Sequence, residues 1–254
     1  MNDQTEITDR EWDEFAEEFH FMARLTGGAR YQVLLDLMPD NADRVLDAGC
    51  GTGLLATHLA KRVRHVVGLD ISPAMMAVAR RHQAEEEQQN VSFVFADLEA
   101  PPFPDHSFDF VVAASSMQRT RLEVSLRALR RLVRPGGRLA LYVNVSWCPR
   151  LRDWWLARVL MMAPAAGKYV TLYGFRTMWR LIRLQTGRSW LQQGRAAQRL
   201  RARGGGVGDR GRIAGRPVPS PGALRAVCEA TLPGCRVARA HRWAMTVVWE
   251  APRP

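Results

Sequence analysis

The chain has 254 residues, a net charge of +11 and 47% hydrophobic residues. This length fits a single α/β domain with a sizeable core, and no stretch approaches the roughly 18 uninterrupted apolar residues of a membrane-spanning helix. The N-terminus lacks the basic and apolar regions of a signal peptide. Four scattered cysteines without metal-ligand spacing fit reduced thiols, so we expect a cytoplasmic protein.

The first predicted element is an amphipathic helix with an aromatic face. Thr8 and Glu11 have the spacing of a capping box at its start. Gly27 and Gly28 interrupt it, and a second helix is predicted at about residues 29–38. The aromatic and apolar residues that recur at helical spacing are Trp12, Phe15, Ala16, Phe19 and Met22.

A glycine-rich loop follows the first predicted strand, which covers residues 44–48. Its pattern is Gly-x-Gly-x-Gly, whereas a dinucleotide-binding loop usually has its third glycine at the place of Leu54. Asp47, near the end of the strand, would repel a pyrophosphate and attract an ammonium or sulfonium group. The loop therefore suits a ligand with positive charge near its glycines. Asp70 ends the next apolar strand about twenty residues later, where an acid can bind ribose hydroxyls.

Strands and helices alternate along the rest of the sequence. Ser72 and Pro73 form a preferred helix start, and the run from Pro135 to Gly137 ends a leucine-rich helix that begins near Leu122. The other predicted helices cover residues 52–62 and 221–231, and the other strands cover 66–70, 91–96, 108–114, 139–145, 237–243 and 244–250. This alternation predicts an α/β fold, a doubly wound, mostly parallel sheet with helices on both faces and an antiparallel final pair.

Four ordered blocks within residues 40–145 resemble the class I S-adenosylmethionine-dependent methyltransferases, in the branch with natural-product or lipid-like acceptors. The blocks are residues 45–54, 70–76, 95–109 and 132–139. Residues 230–254 resemble the closing hairpin of that fold, and residues 146–220 match nothing in it. The resemblance implies a Rossmann-like seven-stranded sheet with an antiparallel last strand and a helical insert after strand five. It also implies S-adenosylmethionine as cofactor and S-adenosylhomocysteine as product.

The resemblance assigns the cofactor contacts to the ends of successive strands. Asp47 would lie near the ammonium group, Asp70 would accept from the ribose hydroxyls, and Asp97 would accept from the adenine amine. The remaining contacts would be made with the methionine moiety, the adenine ring and the methyl-facing side. They are Gly49, Cys50, Gly51, Gly53, Leu54, Ile71, Met75, Leu98 and Ser115.

A general base is needed only if the acceptor must lose a proton to react. Of the six histidines, His20 is the best candidate, because a lid made by the N-terminal helix, as the family often has, would bring it over the methyl group. Core packing of that helix is the alternative. No acidic cluster supports a metal site, and Asp109 is given a structural role at the start of strand four. The histidines predicted at the surface are His58, His65, His82 and His106.

We predict one methyltransferase domain over residues 1–254. Its parts are N-terminal lid helices, a cofactor-binding core, a basic and aromatic-rich insert, and a closing helix with a strand pair, at residues 1–40, 41–145, 146–220 and 221–254. Fourteen arginines and one lysine against two aspartates give residues 149–216 a net charge of +13, so the rest of the chain carries −2. The basic character therefore belongs to the insert.

The insert is expected to select the acceptor. It fits a lid over a hydrophobic small molecule, a surface on anionic membrane that collects a lipid or quinone, an RNA groove, or a helical addition packed on the sheet or in a homodimer. The sequence lacks the Asn/Asp-Pro-Pro-aromatic run and the Pro-Cys pair of base-methylating enzymes, which argues against nucleic acid. We predict methylation of a hydrophobic small molecule in secondary metabolism. The alternatives are a lipid or quinone methyltransferase at the membrane surface, an RNA methyltransferase, and a cofactor-binding partner subunit without activity.

Overall fold

One seven-stranded sheet and six α-helices form the regular structure of the residues that the computed structural model describes, which are 16–26, 28–117, 120–145, 219–241 and 244–253. The strands are β1 Arg44–Ala48, β2 His65–Asp70, β3 Val91–Phe95, β4 Phe108–Ala114, β5 Val133–Asn144, β6 Arg236–His241 and β7 Ala244–Glu250. The helices are α1 Ala16–Thr26, α2 Gly28–Asp36, α3 Leu54–Ala60, α4 Pro73–Glu85, α5 Leu122–Leu132 and α6 Pro221–Thr231. The predictions for residues 1–15 and for most of the insert lie outside the described residues.

The strand order of the sheet is β3-β2-β1-β4-β5-β7-β6. The neighbouring strands among β1 to β5 pair in parallel, and β7 pairs antiparallel with both β5 and β6. Each parallel step therefore needs a crossover. A helix lies in the crossovers from β1 to β2, from β2 to β3 and from β4 to β5, whereas residues 96–107 connect β3 to β4 without a helix. The predicted doubly wound sheet with an antiparallel last strand is confirmed.

Two hydrophobic cores lie on opposite faces of the sheet, because successive side chains of a strand point in opposite directions. In β1, Leu46 joins the core that contains Leu129 of α5 and Leu224 of α6. Its neighbour Val45 joins the core that contains Leu34 of α2 and Leu59 of α3. The helices thus cover both faces, as the alternation of elements predicts.

The helix starts follow the capping signals in the sequence. Ser72 accepts a hydrogen bond from the Met75 backbone through its hydroxyl, and Pro73 occupies the first turn of α4. Ser220 caps α6 in the same way. A free side-chain acceptor at this position satisfies a backbone N–H that has no partner within the helix. The predicted bounds of β4 and α6 are confirmed at both ends.

Strand β5 begins earlier than predicted. The prolines and glycines before residue 139 indicated a break, but the extended chain already pairs with β4 at Val133, across an irregularity in register. Gly136 donates a backbone hydrogen bond to the Ala251 carbonyl, and a Cβ at Gly137 would lie 2.7 Å from the Asp109 carbonyl oxygen. These glycines serve a close approach between strands, so the predicted strand start was wrong.

Asp109 in β4 has the structural role that the sequence suggested. Its carboxylate accepts hydrogen bonds from the backbone N–H groups of Asp43 and Arg44 and from the Arg134 guanidinium. Burial alone would raise the pKa of Asp109, but these donors hold it below its usual value. Asp109 therefore joins the starts of β1 and β5 at the amino edge of the sheet.

The Phe93 ring of β3 fills space beside two glycines from other elements. A Cβ at Gly68 of β2 would lie 2.6 Å from Phe93 Cδ1, and a Cβ at Gly53 would lie 2.9 Å from Phe93 Cζ. Gly53 also has a φ of +75°, which side chains rarely adopt. The Phe93 ring therefore packs in space that is free because residues 53 and 68 have no side chain.

No helix in the described part of the chain is long and apolar enough to cross a bilayer.

Candidate functional site

The candidate site lies at the carboxyl edge of the sheet, beside β1. Strand β1 lies between β2 and β4, so the connections that leave β1 and β4 diverge from this point. In open α/β sheets such a change of strand order opens a crevice for ligands. The predicted cofactor residues follow β1, β2, β3 and β4, and their backbones therefore meet at this edge.

The glycine loop, residues 49–53, directs its backbone donors into the protein. The N–H groups of Gly49 and Cys50 donate to the Leu69 carbonyl, and that of Gly51 donates to Asp70 Oδ2 at 2.8 Å. The N–H group of Gly53 donates to the Cys50 carbonyl. Since these four donors are used internally, the loop does not present them to an anionic phosphate. This agrees with the prediction of a positively charged ligand.

Gly49 allows the loop to pass close to the segment after β4. It has a φ of +76°, and a Cβ at this position would clash with the Ser116 Cβ atom. Ser116 in turn donates a hydrogen bond through Oγ to the Ala48 carbonyl at 2.8 Å. A glycine is thus required here by sterics, and the ends of β1 and β4 are fixed to each other.

Asp47 is a buried carboxylate without a hydrogen-bond partner for either oxygen among the described residues. Its residue is 1% exposed. Burial raises the pKa of Asp47 to about 8, and the negative charge of Asp70 acts in the same direction. The Ala56 backbone lowers this pKa, but by less. An isolated buried carboxylate is unfavourable unless a cation or donor meets it. Asp47 therefore fits the predicted ammonium group of the cofactor.

Asp70 holds the loop in place. Its two oxygens accept from the backbone N–H groups of Gly51 and Ser72. Burial raises the pKa of Asp70, while these donors act in the opposite direction. Each carboxylate oxygen can accept more than one hydrogen bond, so Asp70 retains capacity for ribose hydroxyls.

Cys50 lies in the glycine loop, but its thiol is not a reactive group. Burial, followed by the charges of Asp70 and Asp47, raises the pKa of the Cys50 thiol well above its usual value. The thiol is therefore protonated at neutral pH and a poor nucleophile. Leu54, the next predicted contact, begins α3 and is buried in the core against the sheet.

The residues predicted around adenine occupy different environments. Met75 is buried against Ala16 of α1, and Leu98 lies beside Gly49 in the other core. Ile71 is half-buried directly after Asp70, whereas Asp97 is exposed and accepts from the Glu99 backbone through Oδ1 at 2.8 Å. Leu98 is thus brought to the glycine loop. The adenine contacts of all four residues stay predictions.

Ser115, which the sequence analysis predicts on the methyl-facing side, directly follows β4. It has a φ of +60°, which is uncommon for a residue with a side chain, and its N–H donates to the Tyr142 carbonyl at 2.8 Å. Such backbone strain persists where the surrounding structure requires it, often at functional sites. The prediction included Ser115 but not Ser116, whose contact with Ala48 spans 68 positions in the sequence.

Helix α1 packs over the glycine loop and along α4. A Cβ at Gly51 would lie 3.5 Å from Phe19 Cε1, and Glu17 forms a salt bridge with Arg81 of α4 at 2.7 Å. The described part of α1 therefore has features of both alternatives, a cover for the loop and a packed core helix.

His20 is placed against α4. Its ring meets the His82 ring edge-on, with centroids 4.8 Å apart. Burial and, after it, the His82 charge lower the pKa of His20. His82 is 4% exposed, so its predicted surface position was wrong. The role of His20 as a base stays a prediction.

Among the described residues, no group of three His, Cys, Asp or Glu side chains could hold a metal ion.

Comparisons of the sequence with known proteins identify relatives. A family profile described as a methyltransferase domain matches residues 45–137. The ubiquinone/menaquinone biosynthesis C-methyltransferase UbiE of Ectopseudomonas mendocina is 35% identical over 179 residues, which are 63% of this chain and 69% of that protein. The malonyl-[acyl-carrier protein] O-methyltransferase of Erwinia pyrifoliae is 36% identical over 125 residues, 49% of this chain and 46% of that protein. For several such relatives, the chain spans only about half of their length.

Solved structures share the fold at low identity. The DhpI–SAH complex has a TM-score of 0.61 and 19% identity, covering 99% of this chain and 98% of that one. A methyltransferase structure from Methanococcus maripaludis has a TM-score of 0.57 and 14% identity, covering 95% and 94%. At this identity the likeness concerns the fold alone.

Proposed function

This chain belongs to the class I S-adenosylmethionine-dependent methyltransferases, and on that premise we propose that it transfers a methyl group from this cofactor to a hydrophobic small molecule. The observation that carries the proposal is the buried Asp47 carboxylate without a hydrogen-bond partner at the carboxyl edge of the sheet. A negative charge in this position has a physical reason if a cation occupies the crevice beside it.

The residues at this edge fit the cofactor. When bound, S-adenosylmethionine supplies a methyl group on a positively charged sulfonium. Asp47 would bind the ammonium group, and Asp70 would accept from the ribose while it holds Gly51. The N–H groups of the loop's three glycines and of Cys50 donate within the protein and fix the loop, so the charge of the cofactor would be recognised by the two acids.

Support for a small-molecule acceptor comes from the names of the relatives. One acts in ubiquinone and menaquinone biosynthesis and shares the longest of the matched regions described above. This favours a quinone-like acceptor as a second candidate. Secondary metabolism, contact with a membrane surface and a homodimer remain proposals from the sequence of the insert.

The cofactor part is tested by titration calorimetry with S-adenosylmethionine and S-adenosylhomocysteine. We expect micromolar binding of both by the wild type and a loss of at least about 100-fold for Asp70→Ala, because this change removes the ribose acceptor and frees the loop. Asp36→Asn, on the exposed side of α2, is the matched control. Wild-type affinity in Asp70→Ala would refute the assignment of Asp70.

The acceptor part is tested with cofactor that carries a deuterated methyl group. The enzyme is incubated separately with an isoprenoid quinone precursor, a total lipid extract and total RNA, and the products are analysed by mass spectrometry. Label in a small apolar molecule supports the proposal, and its mass shift on quinone selects the second candidate. Label in RNA alone, or none despite tight cofactor binding, would overturn it.

A further inference from the structure

The segment that leaves β4 is fixed at its start to the cofactor side of the sheet. Ser115 adopts its left-handed backbone and donates to the Tyr142 carbonyl, and Ser116 donates to the Ala48 carbonyl one residue before the glycine loop. The segment then continues to Arg121, which precedes α5. We call the described residues 115–117, 120 and 121 the acceptor-side loop, because they follow β4 on the side where the methyl group is proposed to lie.

Arg121 fixes the other end of the acceptor-side loop. Both its backbone N–H and its Nε donate to the Glu99 carboxylate, the latter at 2.6 Å. The Glu99 side chain is 17% exposed and that of Arg121 is 37% exposed. A carboxylate that accepts from a main-chain and a guanidinium donor at once fixes both the position and the orientation of its partner. Solvent screening is reduced because Glu99 is largely buried.

Glu99 itself belongs to a tight turn after β3. Its backbone N–H donates to Asp97 Oδ1 at 2.8 Å, and the Ala100 N–H donates to the Asp97 carbonyl at 3.0 Å. We call residues 97–100 the adenine-side loop. Leu98, between the two acids, is buried beside Gly49. A ligand that presses on Leu98 or bonds Asp97 therefore acts on the same turn that holds Glu99.

We propose that Glu99 and Arg121 form a positioning pair that transmits occupation of the cofactor site from the adenine-side loop to the acceptor-side loop. This rests on the proposed function. A bound cofactor restricts the turn at Asp97, the turn restricts the Glu99 carboxylate, and the carboxylate restricts Arg121 and the start of α5. Cofactor binding thus restrains the acceptor-side loop further, and the acceptor is the second ligand.

Amide hydrogen exchange of the full chain, with and without S-adenosylhomocysteine, tests the proposal without a known acceptor. In the wild type the ligand should slow exchange at least about threefold in peptides covering residues 47–53 and in peptides covering residues 115–122. In Glu99→Gln the slowing at residues 47–53 should persist, while most of the slowing at residues 115–122 should be lost. Glu123→Gln is the control, since it removes an exposed ion pair with Arg127 within α5 only.

A second variant guards against a folding defect. Arg121→Gln should reproduce the effect of Glu99→Gln. The double variant should lose no more of the slowing at residues 115–122 than either single variant, because both changes remove the same interaction. Unchanged exchange in peptides of α6 shows that the fold is intact.

Three results would overturn an assignment. Slowing at residues 47–53 alone in the wild type would refute the positioning pair but leave the proposed function standing. Slowing at both regions in all the variants would show that another contact carries the coupling. No slowing at either region in the wild type would refute the proposed function.

Discussion

The two edges of the central strands β1 and β4 each carry an aspartate, and the two aspartates differ in their hydrogen bonding. At the amino edge, Asp109 accepts hydrogen bonds from two backbone N–H groups and from Arg134, and its pKa is lowered. At the carboxyl edge, Asp47 is more deeply buried, accepts none for either oxygen from the described residues, and its pKa is raised to about 8. A satisfied carboxylate stabilises a fold, whereas an unsatisfied one is retained where a ligand completes it.

Replacement of the unsatisfied acid should have the largest effect. Asp47→Asn should weaken binding of S-adenosylmethionine by at least about 100-fold, because a neutral amide cannot balance an ammonium group. Calorimetry measures the loss. Binding within about threefold of wild type would show that Asp47 does not face the cation.

The same variant should be more stable, not less. The folded state keeps the Asp47 proton up to about pH 8, whereas the unfolded chain releases it near the ordinary aspartate pKa of 3.8. Ionisation therefore favours unfolding increasingly as the pH rises from about 4 to 8. Asp47→Asn should gain about 1 to 3 kcal/mol of unfolding free energy at pH 7, and the difference should vanish near pH 4.

Asp109→Asn should show the reverse pattern. Loss of a charged acceptor for three donors should lower the free energy of unfolding by about 2 kcal/mol in urea denaturation at pH 7. Because the folded pKa of Asp109 is lowered, this contribution is present at neutral pH and disappears as the pH falls below the folded pKa. Cofactor affinity should stay within about twofold of wild type. A stable variant with lost binding would reverse the roles of the two edges.

A proton should leave Asp47 when the cofactor binds. A cation favours the carboxylate, so affinity should rise by up to about tenfold per pH unit between about pH 6 and 8 and then level off. Calorimetry at pH 7 in phosphate and in Tris measures the number of protons released, because the two buffers differ in ionisation enthalpy. Asp47→Asn is the control, since any proton from the ligand's own amine remains in that variant.

His20, on α1, should give the smallest change in stability. His20→Gln removes the ring contact with His82 and should lower the free energy of unfolding by about 1 kcal/mol, without altering cofactor affinity. A role as general base requires, in addition, that turnover falls by at least about 100-fold. Turnover close to that of the wild type would leave His20 with a packing role alone.

The local signals in the sequence predicted the elements well where they did not compete with tertiary contacts. Ser72 and Pro73 set the start of α4, and the strand at residues 108–114 appears as predicted. The glycines at residues 136 and 137 look like a break to any local rule, yet their role is a close approach to β4 and to Ala251. Only the assembled sheet reveals it.

The site was predicted in its residues more than in its contacts. The glycine loop and the two acids follow from their spacing, and the structure brings them to one edge. Ser116 was missed because its partner Ala48 is far away in the sequence, and a serine after a strand has many other uses. His82 was misplaced because the polar residues of α4 gave no sign of a second helix across its buried face.

The volume of the Phe93 side chain can also be redistributed between neighbouring positions near the edge of the sheet. It occupies the space that side chains at Gly68 and Gly53 would take, and a side chain can be introduced at one of these two positions. Gly68 has an ordinary backbone conformation, so alanine there with a smaller aliphatic residue at position 93 would refill the same space, provided that the Cys50 thiol, 3.0 Å from the added Cβ, shifts slightly. Gly53 cannot take part, since its left-handed backbone strains any side chain. A repacked variant of this protein should therefore change residues 68 and 93 together and leave the loop alone.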